Sequence, residues 1–308
     1  MAYNFTKLRA GDTIASSGAF GFKRLSPTNE SGMILSTRLP VPCQGVSSAT
    51  VGTKVYLFGG YNGAALDQIC VFDTMTKEVA TLSTVLPYAR YDFASHTFND
   101  RIYLFDPGEG KQPIEDTYIF RFDPSDNGLL KYLTFTWNFR KGELVGNSAF
   151  LFCGMLEGSV GEYTFGGQVN EIYRSCLKNE FTGFASAAVE DKIYLFGGSK
   201  STRQIQVFDT TTKKASVLDG VKIASRYPAG AVAAGKKIFL FGGMSDTSTN
   251  ALNIIQVFDT VTNSIETLSD TLPIPLHSCA AERVVDTVYL FGGYSNGYLD
   301  SIIEYHLP

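Results

Sequence analysis

The 308 residues hold one tryptophan, three histidines and five cysteines, so the side chains on which metal and redox sites are most often built are scarce. His96, His277 and His306 fall at unlike positions of the pattern described below, so a histidine-based metal site would need chance convergence, and no metal is expected. The cysteine count is odd and no pair has CxxC spacing. That excludes the usual zinc motifs and a regular disulfide framework, and leaves buried thiols in a reducing compartment as the expectation. No stretch approaches about 18 consecutive apolar residues, which excludes a membrane-spanning helix. The opening Met1-Ala2-Tyr3-Asn4-Phe5-Thr6-Lys7 lacks the charged start and apolar core of a secretory signal. The expected location is therefore the cytoplasm, or a particle assembled inside the cell, without membrane insertion. Positive charge is not in excess, since the net charge is −4 and the isoelectric point about 5.5, so no nucleic-acid partner is expected. GxSxG, HExxH and P-loop patterns are missing as well, and no cofactor or catalytic residue is nominated.

What the chain has in quantity is glycine (30), phenylalanine (23) and tyrosine (16), a composition that fits many short strands and tight turns. The stretch Val55-Tyr56-Leu57-Phe58-Gly59-Gly60 returns five times, as residues 102–106 (IYLFD), 149–154 (AFLFCG), 193–198 (IYLFGG), 238–243 (IFLFGG) and 288–293 (VYLFGG). Aligned on Phe58, Phe105, Phe152, Phe196, Phe241 and Phe291, the copies lie 44 to 50 residues apart, the mark of a repeat architecture. Each reads as a buried strand that ends where the backbone needs positive φ or close approach.

Residues 45–87 show one full unit. A strand of small residues (GVSSATV) precedes a polar turn, the VYLFGG strand, a loop, a third strand over residues 66–73 and a fourth over 77–82. Four antiparallel strands in roughly 45 residues make a propeller blade. Asp73-Thr74, Asp123-Pro124, Asp209-Thr210 and Asp259-Thr260 sit where strand three must reverse, and each aspartate is expected to cap its own turn rather than to do chemistry. The third unit has no VFDT and carries an extra Gly166-Gly167, so the same four strands with altered loops are expected there. The last unit stops after its third strand. Residues 33–37 resemble the end of a unit without a beginning, and pairing them with the C-terminal strand would close the ring and remove exposed edges. The prediction is an all-β, six-bladed propeller over residues 33–308, behind an N-terminal extension of residues 1–32. In a variant of this closure, residues 20–25 join the last blade and displace the C-terminal strand.

The apolar run into Gly-Gly, the V-[FY]-D strand about a dozen residues later and the Leu-Pro before the next unit together resemble the Kelch repeat across residues 33–308. The tryptophan usual in that family about six residues after the VFD aspartate is replaced by Val79, Ala215 or Ile265. The resemblance implies a rigid platform, most often one that binds proteins and in some members an enzyme. Fold alone does not choose between them.

Loops entering strand one and leaving strand two share one face, and they are longer and more varied than the turns on the other. Counting back twelve residues from strand two gives Cys43, Arg90, Trp137, Phe181, Arg226 and Leu276, which symmetry should place around one rim. Arg90, Trp137, Phe181 and Arg226, with their neighbours Tyr91, Arg140, Tyr227 and His277, suit an anionic, sugar-like or acidic-peptide ligand. Alternatively, Trp137 and Phe181 plug the channel mouth and the arginines pair with blade carboxylates. Tyr61, Asn62 and Tyr294 join the face from the strand-two loops, with Glu109, Met155, Lys200, Met244, Asp246 and Asn296. The leading expectation is a non-catalytic scaffold that holds a protein or peptide, anionic in character, on this face. Two alternatives stand beside it. One is a sugar-modifying enzyme like the sialic-acid mutarotases among six-bladed Kelch-like proteins, with a glycan at Arg90, Arg226 and Glu109. The other is a subunit of a larger assembly, viral for example, docked by the N-terminal extension.

Overall fold

The computed structural model describes residues 32–106, 117–135, 141–152, 158–166, 170–174, 176–177, 183–198, 203–224, 227, 229–245 and 250–308. The strands form six four-stranded antiparallel sheets, and five of them run in simple sequence order. The sixth joins the two ends of the chain: Gly32–Arg38 pairs with Ser301–His306, followed by Thr287–Phe291 and Ala280–Val284. Met33 lies opposite Glu304 and Ile34 opposite Ile303, so the C-terminal strand keeps third place and the N-terminal one supplies the fourth. Residues 20–25, which the displaced-strand variant required, lie outside the described residues. The third unit keeps four strands despite its altered sequence, at Lys141–Val145, Ser148–Phe152, Val160–Thr164 and Asn170–Tyr173.

The first strands of the six blades touch in a closed series, the sixth returning to the first. Ring geometry then explains the residue types. Wedge-shaped gaps between blades are narrow near the axis and wide at mid-radius, so small residues line the first strands and aromatics fill the space farther out. Near the axis a side chain on Gly230 would come within 2.5 Å of Ala281 Cβ on the next blade. Second strands are buried on both faces and therefore read as continuous apolar runs without alternation.

At mid-radius one aromatic contact recurs in all six interfaces. The strand-two phenylalanine of one blade meets the strand-three aromatic of the next: Phe58 with Phe122, Phe105 with Tyr163, Phe152 with Phe208, Phe196 with Phe258, Phe241 with Tyr305, and Phe291 with Phe72. Centroids are 5.4 to 6.1 Å apart and every pair is edge-to-face, the arrangement ring quadrupoles favour. The repeat's F and FD positions are thus two halves of one joint.

The Asp turns take the expected form. Asp73, Asp209 and Asp259 each accept N–H groups two and three residues on, and Asp123 accepts from Ser125. The bond from the Thr212 N–H holds the Asp209 carboxyl below the ordinary range, and the Thr262 N–H does the same for Asp259. The following threonine ties this turn to the one between strands one and two, as Thr74 Oγ1 donates to Thr53 O at 2.8 Å.

A lysine at the same turn secures the seam. Lys77, with φ of 61°, reaches into the sixth blade, where its Nζ lies 3.0 Å from Glu304 and over the Tyr289 ring. Lys213 makes the equivalent reach from the fourth blade to Glu162 of the third, 2.6 Å away. Glu304 is buried, so losing its cation strands a carboxylate. Lys77→Met is expected to cost about 2 kcal/mol, and adding Glu304→Gln should return part of that; a double-mutant cycle in urea measures the coupling.

Candidate functional site

Gly-Gly is the hinge between sheet and rim. Gly59, Gly197, Gly242 and Gly292 have φ between 52° and 76°, and the glycine after each lies between 107° and 115°. The second N–H binds the segment that leaves its own blade for the next: Gly60 donates to Arg90 O, Gly243 to Leu276 O and Gly293 to Cys43 O, each at 2.8 Å. Three of the six positions found by counting back twelve residues are therefore equivalent, but through their backbone. Cys43 and Leu276 have buried side chains and add nothing to a binding face, because this position first clamps the connection between blades onto the sheet end. Arg90 shares the backbone role, and its guanidinium lies 5.2 Å from the Tyr88 ring. Trp137, Arg140, Phe181 and Arg226 lie outside the described residues, as do Glu109, Met155, Lys200 and Asp246.

Of the remaining candidates, His277, Tyr294, Tyr61, Asn62 and Tyr91 come together over blades six, one and two. His277 and Tyr294 exchange backbone hydrogen bonds of 3.1 and 2.9 Å, and their rings lie 5.4 Å apart. Tyr294 meets Tyr298 at 5.4 Å, Tyr298 meets Tyr61 at 6.0 Å and Tyr61 meets Tyr91 at 5.0 Å. The result is a continuous belt of five rings from three blades, with Asn62 exposed beside it and Tyr91 43% exposed. Burial lowers the His277 pKa, which favours a neutral ring within the belt. Tyr227 does not join this group; its backbone pairs with Met244 and its ring covers Gly183. Tyr298 was not among the sequence candidates. The signal was present in Tyr294-Ser295-Asn296-Gly297-Tyr298, where this loop differs from its counterpart in the first unit.

The segments under the belt lead directly into the channel. Gly45 N–H donates to Ser278 O and Asp92 N–H to Gly45 O, linking the lead-ins of blades six, one and two. Beyond them a channel of about 500 Å³ runs between the first strands of all six blades. One ring of equivalent positions, set by pairing with strand two, holds Ala49, His96, Glu143, Ala187, Val232 and Glu282. Each long member leans on the next blade. Glu143 accepts from Ser186 Oγ at 2.6 Å, Glu282 from Ser48 Oγ and Thr50 Oγ1 at 2.7 and 2.8 Å, and His96 Nε2 faces Gly142.

Enclosure by protein pushes the Glu143 carboxyl up to about 7, Ser186 opposing and Glu282 adding to the rise. Enclosure raises Glu282 too, and lowers His96 to about 4, so the imidazole is neutral at pH 7. Glu143 and Glu282 escaped the sequence reading, and His96 entered it only as a metal ligand that was set aside. Their signal was an ionisable residue at the middle of ASHTF, KGELV and AAERV, where the other units have Ala49, Ala187 and Val232. A carboxyl that holds its proton more tightly when folded stabilises fully below about pH 4.5 and loses that contribution as pH rises through 7. Glu143→Gln is accordingly expected to stabilise the protein increasingly from pH 5 to pH 8, by up to about 3 kcal/mol. A melting-temperature series tests this, and a difference that stays flat with pH would contradict it.

Comparison with known proteins agrees with the repeat. A family model for the KLHDC2/KLHL20/DRC7 Kelch-repeats domain matches residues 183–307, and one for the Kelch motif matches residues 42–84. The chain is a Kelch-repeat propeller. Among solved structures, "Structure of YjhT" superposes with a TM-score of 0.67 over 86% of this chain and 94% of that one, at 13% identity. At that identity the likeness is one of fold. Among curated proteins none matches the Kelch chain in sequence. Among the described residues no three His, Cys, Asp or Glu side chains are grouped to hold a metal ion, and no helix is long and apolar enough to cross a membrane.

Proposed function

We propose that this Kelch propeller is a recognition scaffold that holds a protein or peptide segment on the face carrying the belt of His277, Tyr294, Tyr298, Tyr61 and Tyr91. The observation that carries the proposal is the belt's continuity across three blades. Tyrosines of this kind offer broad apolar contact with a polar tip at little conformational cost, which is why they dominate binding energy at interfaces. The backbone clamps beneath hold the rings in place before a partner arrives, so little ordering entropy remains to be lost. A partner with acidic side chains would find Arg90 at the same edge, beside Tyr88.

Selection of a displayed random-peptide library on the intact chain tests the proposal. Enriched peptides are expected to bind with micromolar affinity and to lose at least about tenfold when Tyr61 and Tyr294 are both changed to alanine. Peptides that bind the double variant equally well, with its melting temperature unchanged, would move the site off the belt.

A further inference from the structure

The channel carries a second site, chemically unlike the belt. Its middle is bordered by Glu143 and Glu282, on the third and sixth blades, close enough that the Glu282 charge adds to the proton affinity of Glu143. The hydroxyls around them have committed their protons: Ser186 to Glu143, Ser48 and Thr50 to Glu282, Ser95 to Ser48 O, and Thr97 to Thr50 O at 2.8 Å. What these hydroxyls still offer the channel is lone pairs. His96 lines the same cavity, and its buried Nε2 has no hydrogen-bond partner among the described residues. The free edges of the first strands add backbone N–H and C=O groups in equal number, so the side chains set the character of the space.

The other charges lie toward the ends, and Lys141 offsets only part of the rise in the Glu143 pKa. Lys141 is bound to Asp92 at 2.9 Å toward the lead-in end. Arg283, at the other end, donates to Val285 O and Ala233 O and pairs with Asp286 at 3.6 Å. The first strands of blades one, four and five bring no ionisable side chain. At the middle of this cavity the side chains therefore present two carboxyls and hydroxyl lone pairs, while its two cations, Lys141 and Arg283, are engaged toward the ends.

We propose that the central channel is a binding site for a small organic ammonium ion, held between Glu143 and Glu282 through its N–H groups. The ammonium supplies the protons that the committed hydroxyls cannot, and replaces the proton that Glu143 otherwise retains. Binding therefore releases a proton at neutral pH. His96 titrates near pH 4 and stays outside that range.

Isothermal titration calorimetry of the full chain with 1,4-diaminobutane is the test, with 1,4-butanediol as the uncharged counterpart. From pH 6 to pH 8 the ionised fraction of Glu143 rises from about one-tenth to nine-tenths, so the diamine should bind about tenfold more tightly at pH 8. Repeating the titration at pH 7 in two buffers of different ionisation enthalpy should show net proton release. Glu143→Gln with Glu282→Gln should abolish binding, and the double variant's melting curve at pH 8 reports whether it remains folded. Should it unfold, the buffer comparison on the unaltered protein decides alone. Diol binding equal to diamine binding, diamine binding that persists in the folded double variant, no heat at millimolar diamine, or no proton release would each overturn the proposal.

Discussion

Leu35→Asp is expected to open the propeller at its seam and to cost about 4 kcal/mol or more. Leu35 sits on the N-terminal strand that completes the sixth blade, and its buried side chain belongs to the cluster containing Val46, Leu57, Phe72, Phe291 and Ile302. Those residues come from blades one and six, so this strand joins blades as well as closing one. A carboxylate there would have no cation to meet, and the outer edge of Ser301–His306 would lose its partner. Chemical denaturation gives the magnitude. Hydrogen exchange locates it: faster exchange in residues 301–306 and in Lys77, whose carbonyl accepts from Thr37 on the same strand, with blades three and four little changed. A uniform loss across all blades would mean that the ring unfolds as one unit.

Gly59→Ala is expected to be nearly as damaging, and Gly52→Ala much less so, although both glycines have φ near +60°. At Gly59 an added Cβ would lie 2.1 Å from Arg90 O on the segment that leads to the next blade, a backbone atom that cannot turn away. At Gly52, in the turn between strands one and two, nothing lies within 4 Å. The turn variant pays only the left-handed backbone penalty of about 1 kcal/mol. The hinge variant adds a clash that pushes the inter-blade connection off the end of the sheet, for a total above about 3 kcal/mol. Gly242 and Gly292 stand 2.4 Å from Leu276 O and Cys43 O in the same test, so alanine there should behave like Gly59→Ala. Equal melting temperatures for the Gly52 and Gly59 variants would show that conformation alone, and no contact with the connecting segment, explains the repeat's first glycine.

The belt and the channel separate by experiment. Tyr61 and Tyr294 do not line the channel, and Glu143 and Glu282 lie on first strands below the lead-ins. Peptide binding should therefore survive the glutamate changes, and diamine binding should survive loss of the belt tyrosines.

Sequence alone determined the blade count, the strand order within each blade, the closure by residues 33–37 and the aspartate-capped turns. Each follows from short-range pattern: an apolar run, a Gly-Gly, an Asp five residues before the fourth strand, repeated at one period. Tyr61, Tyr91, His277 and Tyr294 were also legible, because repeat register assigns loops to a face. Which of them touch was not, since Tyr298 reaches Tyr61 from the far end of the chain. The folded ring alone decided that Cys43, Arg90 and Leu276 are backbone clamps, because the carbonyl they use carries no trace in side-chain identity. It alone brought His96, Glu143 and Glu282 to one level around one channel. They are 186 residues apart at the extremes, and only closing six blades about an axis makes the third blade a neighbour of the sixth across a narrow space. Proton affinities depend on that enclosure, and enclosure is a property of the ring and of no single repeat.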